Sequence, residues 1–242
     1  MFYLTLPSNS SLKYYPDNTL SKFTTQLAQP IALSGSWEVG LAEVQYPHSW
    51  HNIEEAWILY ESASGFGLNL SLPSGLYDTP QQLIEELNAL IIARKRQHHV
   101  KFSYQPVTQK VSVSVTGGGS LEMSQNLQEL FGMTSMPLKG KVEGKKVLDV
   151  KQGFDSLYIY CNIIEPRLVG DSEVPLLRIV PIEGQHGMTV TKIYNQIQYL
   201  PVLQKNFNSL EINIRKDTGE LVPFESGKLV VTLHFREKKP YY

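Results

Sequence analysis

The sequence is poor in cysteine and has no long hydrophobic run. Among 242 residues there is one cysteine, Cys161, which excludes an intrachain disulfide. It lies in the apolar run 157–161, and this favours a small buried side chain over a nucleophile. Residues 1–7 show no basic region before a long apolar stretch, and no run approaches the roughly 18 apolar residues of a membrane helix. We therefore expect no secretion signal, no membrane segment and a reducing compartment.

An excess of charge of either sign is also missing. Lys and Arg total 22 and Asp and Glu total 23, which gives a formal net charge of −1. No overall field would draw this chain to nucleic acid or to an anionic membrane, so we expect neither as a partner. Hydrophobic residues make up 42% and charged residues 19% of the chain, which is the balance of a globular rather than a disordered protein.

Motifs for catalysis and cofactor binding are absent as well. The glycines at 117–119 are not followed by the Lys-Ser or Lys-Thr pair of a phosphate loop, and Gly140-Lys141 lacks the upstream glycine. The sequence has no nucleophile elbow. We therefore expect no catalytic residue, cofactor, metal ligand or small-molecule substrate, and we interpret the protein as a non-enzyme.

Two groups of histidines allow a functional and a structural interpretation. His48 and His51 precede Glu54 and Glu55, but two histidines that bind one metal from a helix are four residues apart, not three. A neighbouring proline and asparagine indicate a surface loop instead. The basic run at 94–99 ends in two histidines, and we interpret it as a solvated helix end. A small basic patch for nucleic acid or a protein partner is the alternative there.

Three tryptophans lie near the start of the sequence in different surroundings. Trp37 and Trp57 stand in β-rich segments, and we expect them in the core. Trp50 stands in a polar stretch, where an aromatic side chain can anchor an interface or stack on a sugar. Together with Tyr46 and Tyr60, it supplies the aromatic groups that a carbohydrate-binding module needs.

Both ends of the sequence alternate between apolar and polar residues with the period of β-strands. Val190 and Ile193 fall out of phase in their segment, which indicates a bulge or bend there. Short strands separated by proline and glycine indicate a sandwich or jelly roll. The segments interpreted as strands are 22–27, 37–45, 57–60, 157–163, 176–182, 189–199, 210–215 and 229–236. The last of them alternates most regularly, with one face formed by Leu229, Val231, Leu233 and Phe235.

The middle of the sequence changes to a helical period. Thr79, Pro80 and Gln82 form the start signal of a helix, with Thr79 as N-cap and Gln82 completing a capping box. Ser124 begins a second, short helix that Gly132 ends. Between the helices the pattern predicts a β-hairpin formed by residues 100–104 and 111–115.

These segments predict an all-β fold, a single jelly-roll sandwich with an inserted small α+β subdomain. The sandwich takes residues 1–65 plus 141–242. The insert takes residues 66–140, in the order strand, helix, hairpin, helix. The Lys-rich stretch 139–146 is interpreted as a polar return linker. The tail 236–242 is charged and then aromatic, which fits either docking on a neighbouring subunit or a frayed terminus.

Three stretches resemble the minor capsid proteins of Polinton/Maverick elements and the related adintoviruses. They are residues 37–53, residues 75–88, and residues 207–225 continuing into 227–235. The last stretch is the most specific of them. Together they cover most of the chain.

The resemblance implies a single jelly roll that forms homopentamers, as a penton, at the vertices of an icosahedral capsid. It implies two partners, other copies of the chain and a double jelly-roll major capsid protein. It also implies a virion protein assembled inside the host cell, with no active site. The alternative is a carbohydrate-binding jelly-roll module. An enzyme on a sandwich scaffold has no motif in its favour.

Overall fold

The computed structural model describes residues 1–65, 67–94 and 99–238. These residues form strands throughout, with two helices in the middle of the chain. In chain order the strands are β1 (Phe2–Pro7), β2 (Lys22–Ala32), β3 (Trp37–Pro47), β4 (Trp57–Glu61), β5 (Gly67–Ser71), β6 (Val100–Gln105), β7 (Lys110–Val115), β8 (Ser120–Met123), β9 (Gly140–Glu143), β10 (Ser156–Cys161), β11 (Arg167–Val169), β12 (Ser172–Val174), β13 (Leu176–Pro181), β14 (Thr189–Ile193), β15 (Leu200–Pro201), β16 (Asn206–Arg215) and β17 (Val230–Glu237). The helices are α1 (Pro80–Ala93) and α2 (Gln125–Phe131).

The chain divides into two compact units, which differ in extent from the units predicted. The jelly-roll unit is Met1–Trp50 with Phe154–Tyr242, and the inserted unit is His51–Gly153. The insert is therefore wider than the predicted 66–140. The alternating segment β4 was assigned to the sandwich, but it pairs with β5 and β8 and places Ile58 and Tyr60 in the core of the inserted unit.

The jelly-roll unit contains two antiparallel sheets that face each other. The first sheet has the order β1-β17-β3-β14, with β15 also paired to β3, and the second sheet has the order β13-β10-β16-β2. Without the short strands β11, β12 and β15, eight strands remain. If these eight strands are renumbered 1 to 8 in chain order, the first sheet has the order 1-8-3-6 and the second sheet has the order 5-4-7-2. This is the strand order of a jelly roll. Phe207 and Phe235 stack between the sheets, with ring centroids 6.1 Å apart. The predicted fold class is confirmed.

The predicted alternation places the apolar faces of the C-terminal strands in the core. Leu210, Ile212 and Ile214 of β16 are fully buried. So is the face of the last strand, formed by Leu229, Val231, Leu233 and Phe235. The turn after β16 is also confirmed, since Gly219 has a φ of 87°, a conformation that glycine adopts without steric cost.

A bulge in β3 explains why its alternation is imperfect. Thr232 lies opposite Glu43 and Leu233 lies opposite Leu41, so Ala42 has no partner of its own on β17. An extra residue of this kind reverses the phase of the side chains beyond it. Val39 and Leu41 point into the core before the bulge, and Val44 and Tyr46 do so after it; all four are fully buried.

The predicted irregularity near Ile193 is an interruption of the strand. β14 ends at Ile193, residues 194–199 leave the sheet, and β15 returns to the same partner strand, β3. Where the segment crosses β3 it lies on Gly40. A Cβ atom at Gly40 would lie 2.3 Å from the Gln198 carbonyl oxygen and 2.4 Å from Ile197 Cγ2.

Helix α1 begins at the predicted N-cap, Thr79, but the predicted capping box is shifted, because Gln82 bonds the residue before the cap. The Thr79 Oγ1 accepts a hydrogen bond from the Gln82 N–H at 3.2 Å. The Gln82 Oε1 in turn accepts from the N–H of Asp78 at 2.8 Å. The helix buries one apolar face in the inserted unit, formed by Leu83, Ile84, Leu87 and Ile91.

The second helix begins at the predicted residue but by a different contact. Ser124 occupies the N-cap position, yet its hydroxyl bonds the Asn126 side chain instead of a helix N–H. The Asn126 Oδ1 accepts from the N–H of Leu127 at 2.8 Å. Gly132 ends the helix in the left-handed conformation, as predicted.

The inserted unit contains two three-stranded sheets in addition to these helices. The predicted hairpin is confirmed as β6 and β7. The predicted linker contains strand β9, which pairs with β7, while β5, β4 and β8 form the other sheet. No helix among the described residues is long and apolar enough to cross a membrane.

Candidate functional site

The aromatic residues proposed as a sugar platform are buried. Trp50, Tyr46 and Tyr60 expose 4%, 0% and 5% of their surface. Trp50 stacks on His48 with ring centroids 4.1 Å apart and meets the edge of Phe154 at 5.2 Å. The carbohydrate platform predicted from these three residues is therefore wrong, because none of them can stack on a sugar.

The other two tryptophans are less buried than predicted. Trp57 exposes 39% of its surface, so its assignment to the core is wrong. Trp37 is half-buried. It packs on the Phe2 ring at 5.8 Å, and its indole N–H donates to the Ser34 carbonyl at 2.8 Å.

His48 and His51 belong to different units, and part of the basic run lies outside the described residues. His48 is buried in the jelly-roll unit, so its assignment to a surface loop is wrong; its main-chain N–H donates to the Met188 carbonyl at 2.9 Å. His51, Glu54 and Glu55 belong to the inserted unit.

The basic run begins at Arg94, the C-cap of α1, but residues 95–98 lie outside the described residues. His99 stacks on Tyr60 at 5.9 Å. Residues 239–242 of the predicted docking tail also lie outside the described residues.

Cys161 is fully buried, as predicted. Burial raises the pKa of its thiol to about 12. At neutral pH the side chain is therefore a protonated thiol without the thiolate that nucleophilic chemistry requires.

The jelly-roll unit carries a dense aromatic and charged cluster on the outer face of its first sheet. The Tyr199 hydroxyl lies 2.6 Å from His234 Nδ1, and the Tyr3 ring lies 4.4 Å from the His234 ring. The Arg236 guanidinium lies 3.6 Å above the Tyr199 ring and donates two hydrogen bonds to Glu38 Oε2, at 2.9 and 3.0 Å. We call these five residues the outer-face cluster.

Three strands and one loop position this cluster. His234 and Arg236 are outward residues of β17, Tyr3 is an outward residue of β1, and Glu38 belongs to β3. Tyr199 is the last residue of the segment 194–199, which crosses β3 at Gly40. The other end of that segment is held by Arg178, whose guanidinium lies 3.5 Å from the centre of the Tyr194 ring.

The electrostatics of the cluster favour a neutral imidazole. Burial lowers the pKa of His234, and the N-terminal amino group and Arg236 lower it further. Exposed tyrosine beside arginine is the composition enriched at protein interfaces, and Tyr3 exposes 64% of its surface.

The first half of the β2 edge of the second sheet, residues 22–26, is closed to further pairing. The Asn18 side chain donates to the Thr24 carbonyl and accepts from the Thr24 N–H, both at 2.9 Å. The Lys22 N–H donates to Thr19 Oγ1 at 3.0 Å, and the Gln26 N–H donates to Ser11 Oγ at 2.9 Å. Side chains thus occupy the outward main-chain groups that a neighbouring strand would need.

The sequence did not identify the outer-face cluster as a site. The alternation of β17 places His234 and Arg236 on the outer face, but nothing in the sequence brings Tyr199 to them. The crossing at Gly40 creates that contact, and a glycine inside a regular strand was its one visible signal.

Comparison with known proteins finds similarity among solved structures only. No family model matches the chain, and no curated protein matches it. The crystal structure of selenomethionine-labelled mavirus penton protein is similar to this chain with 12% sequence identity and a TM-score of 0.49, over 97% of this chain and 98% of that chain.

Proposed function

We propose that this protein is a minor capsid (penton) protein of the Polinton/Maverick class, which forms homopentamers at the vertices of an icosahedral capsid. The observation that carries the proposal is the jelly-roll strand order. Fold alone does not give function. Here, however, two of the segments that resemble this family contain β3 and most of β16 and β17, which are inner strands of the two sheets.

The physical properties of the chain support assembly rather than catalysis. A closed ring needs two different surfaces on each subunit, and a two-sheet sandwich offers opposite edges and faces for this purpose. A net charge of −1 per chain keeps electrostatic repulsion among assembled copies small. The buried, protonated Cys161 thiol supplies no thiolate for nucleophilic chemistry, which supports a structural role.

The proposal carries three further expectations. The protein associates with other copies of itself and with a double jelly-roll major capsid protein. It takes no cofactor and no small-molecule substrate. It is found in the virion after assembly inside the host cell.

The solution mass of the purified chain tests the proposal. We expect light scattering to give a mass five times the 27.4 kDa of the chain, over a range of protein and salt concentrations. A trimer would contradict a five-fold vertex. A protein that stays monomeric should bind shells of the major capsid protein that lack vertices, and failure to bind would overturn the proposal.

A further inference from the structure

The two edge strands of the first sheet differ from β2 in the state of their outward main-chain groups. In an antiparallel pair, residues alternate between those that bond the partner strand and those that point their N–H and C=O groups away from it. An edge strand with unoccupied outward groups is a template for another strand. The first sheet ends in β1 on one side and in β14 on the other.

The outward groups of β1 belong to Tyr3 and Thr5. The Ser8 N–H donates to the Leu229 carbonyl at 2.8 Å, which fixes the alternation. Even-numbered residues of β1 therefore bond β17, and odd-numbered residues face away. Pro7 ends the open stretch because it has no N–H and its carbonyl accepts from the Ser10 N–H at 3.0 Å.

The outward groups of β14 belong to Thr189, Thr191 and Ile193. The Tyr194 N–H donates to the Ala42 carbonyl at 2.9 Å, and the register pairs Lys192 with Val44. Even-numbered residues of β14 therefore bond β3. In the described part of the chain, no hydrogen bond occupies the outward main-chain groups of Thr189, Thr191 and Ile193, or those of Tyr3 and Thr5.

We propose that β1 of one copy pairs with β14 of the next, so that the first sheet continues from subunit to subunit around a ring. This inference rests on the proposed function, because it assigns the contact between neighbouring pentamer subunits. The two edges lie on opposite sides of one sheet. The contact is therefore between different surfaces of the two copies, as a closed ring of five requires.

Strand direction and side-chain phase both permit this pairing. Each neighbouring pair along β1-β17-β3-β14 is antiparallel, so β1 and β14 run in opposite directions and meet as an antiparallel pair. Tyr3 and Thr5 have exposed side chains, and so do Thr191 and Ile193. Directly opposed residues share a face. Pairing these residues therefore places the core-facing side of the first sheet in one copy on the same side as that of the first sheet in the next copy.

One register also matches the side chains. Placing Tyr3 opposite Ile193 puts Thr5 opposite Thr191. Tyr3 exposes 64% and Ile193 66% of its surface, and the pairing would cover both. Aromatic with β-branched residues and threonine with threonine are favourable cross-strand pairs. None of these four side chains is charged. The one charged residue on the two edge strands, Lys192 of β14, would lie opposite Leu4, and its ammonium group is already paired with Glu183.

Proline substitutions test the pairing without removing a main-chain hydrogen bond from the subunit, although T5P also loses the Thr5–Thr232 hydroxyl contact at 3.4 Å and T191P the Gln45–Thr191 contact at 3.3 Å. T5P and T191P each delete an outward N–H, which an edge strand tolerates. I179P is the matched control. Ile179 is also an outward residue of an edge strand, β13, and it exposes 41% of its surface. We expect T5P and T191P to dissociate the pentamer at concentrations where the I179P variant stays assembled, with melting temperatures close to the control.

Cysteine cross-linking tests the register directly. The double variant T5C/T191C should form a ladder of linked chains on oxidation, whereas the single variants T5C and T191C should not. The native Cys161 does not interfere, because it is fully buried. Intact pentamers in T5P and T191P, together with no cross-link in the double variant, would overturn the pairing.

The outcomes separate this inference from the proposed function. A pentamer whose cysteine variant does not cross-link refutes the strand pairing and leaves the vertex function standing. A cross-linked ladder from an assembly that is not five-fold supports the pairing and refutes the vertex function. A protein that neither assembles nor cross-links, alone or on capsid shells, counts against both.

Discussion

Tyr199 and His234 are separated by 35 residues along the chain, and the Tyr199 hydroxyl lies 2.6 Å from His234 Nδ1. This contact ties the segment 194–199 to the outer face of the first sheet. The same tyrosine ring lies under the Arg236 guanidinium, which is itself bound to Glu38. The outer-face cluster therefore joins β1, β3 and β17 to the loop that carries Tyr199.

The stability of the protein should fall below about pH 6.5 because of His234. Burial lowers the pKa of this histidine in the folded chain, while an unfolded histidine titrates near 6.5. The unfolded state therefore binds the proton more readily, and the contribution to stability that is present above this pH is lost as pH falls. Melting temperatures of the wild type and H234Q, measured across this range, should converge at low pH. Parallel curves would contradict the assignment.

Removing the Tyr199 hydroxyl should destabilise the folded chain by about 1–2 kcal/mol. Y199F keeps the ring beneath Arg236 but leaves the buried His234 nitrogen without its hydrogen-bond partner. Y3F is the matched control, since the Tyr3 hydroxyl makes no hydrogen bond in the described structure and the ring is exposed. Urea unfolding at a fixed protein concentration measures both variants. Equal losses in the two would show that the Tyr199 hydroxyl contributes nothing specific.

Substituting Gly40 with alanine should cost roughly 1–3 kcal/mol. The added Cβ would lie 2.3 Å from the Gln198 carbonyl oxygen, so the crossing segment must move off the sheet. Gly67 is the control, because a Cβ there meets nothing closer than 3.9 Å. Thermal unfolding of G40A and G67A gives the comparison. A G40A variant as stable as G67A would mean that residues 194–199 are not held on the sheet.

Opening the edge at β2 should both weaken the fold and promote self-association. N18A removes the donor and the acceptor that occupy the Thr24 main chain, which we expect to cost about 1–2 kcal/mol. Asn9 is exposed and makes no such contact, so N9A is the control. Unfolding and light scattering should show a less stable N18A with larger species at high concentration. If N18A behaves like N9A, edge closure by Asn18 is refuted.

Much of the jelly roll was predictable, because the alternation of apolar and polar residues along a strand shows which side chains are buried. The apolar phase of β16 and β17 and the cap of α1 at Thr79 depend on residues close in sequence, and the structure shows them as expected. Alternation does not say which strand a segment pairs with. For this reason β4 was assigned to the wrong unit, although its strand character was predicted correctly.

The surface contacts were not predictable, because they depend on residues far apart in the chain. Trp50 has polar neighbours in sequence, but it is covered by Phe154 and Phe224, which follow more than a hundred residues later. The outer-face cluster requires the bulge in β3 and the crossing at Gly40. Gly40 inside a strand is a signal of the crossing, but the contacts of both features are defined only when β17, β3 and the loop after β14 are placed together.

The rotational symmetry of single particles tests the central claim most directly. We would image the purified full chain by electron microscopy and classify end-on views without imposed symmetry. The vertex function predicts rings with five-fold symmetry. Rings of three-fold or six-fold symmetry would contradict it.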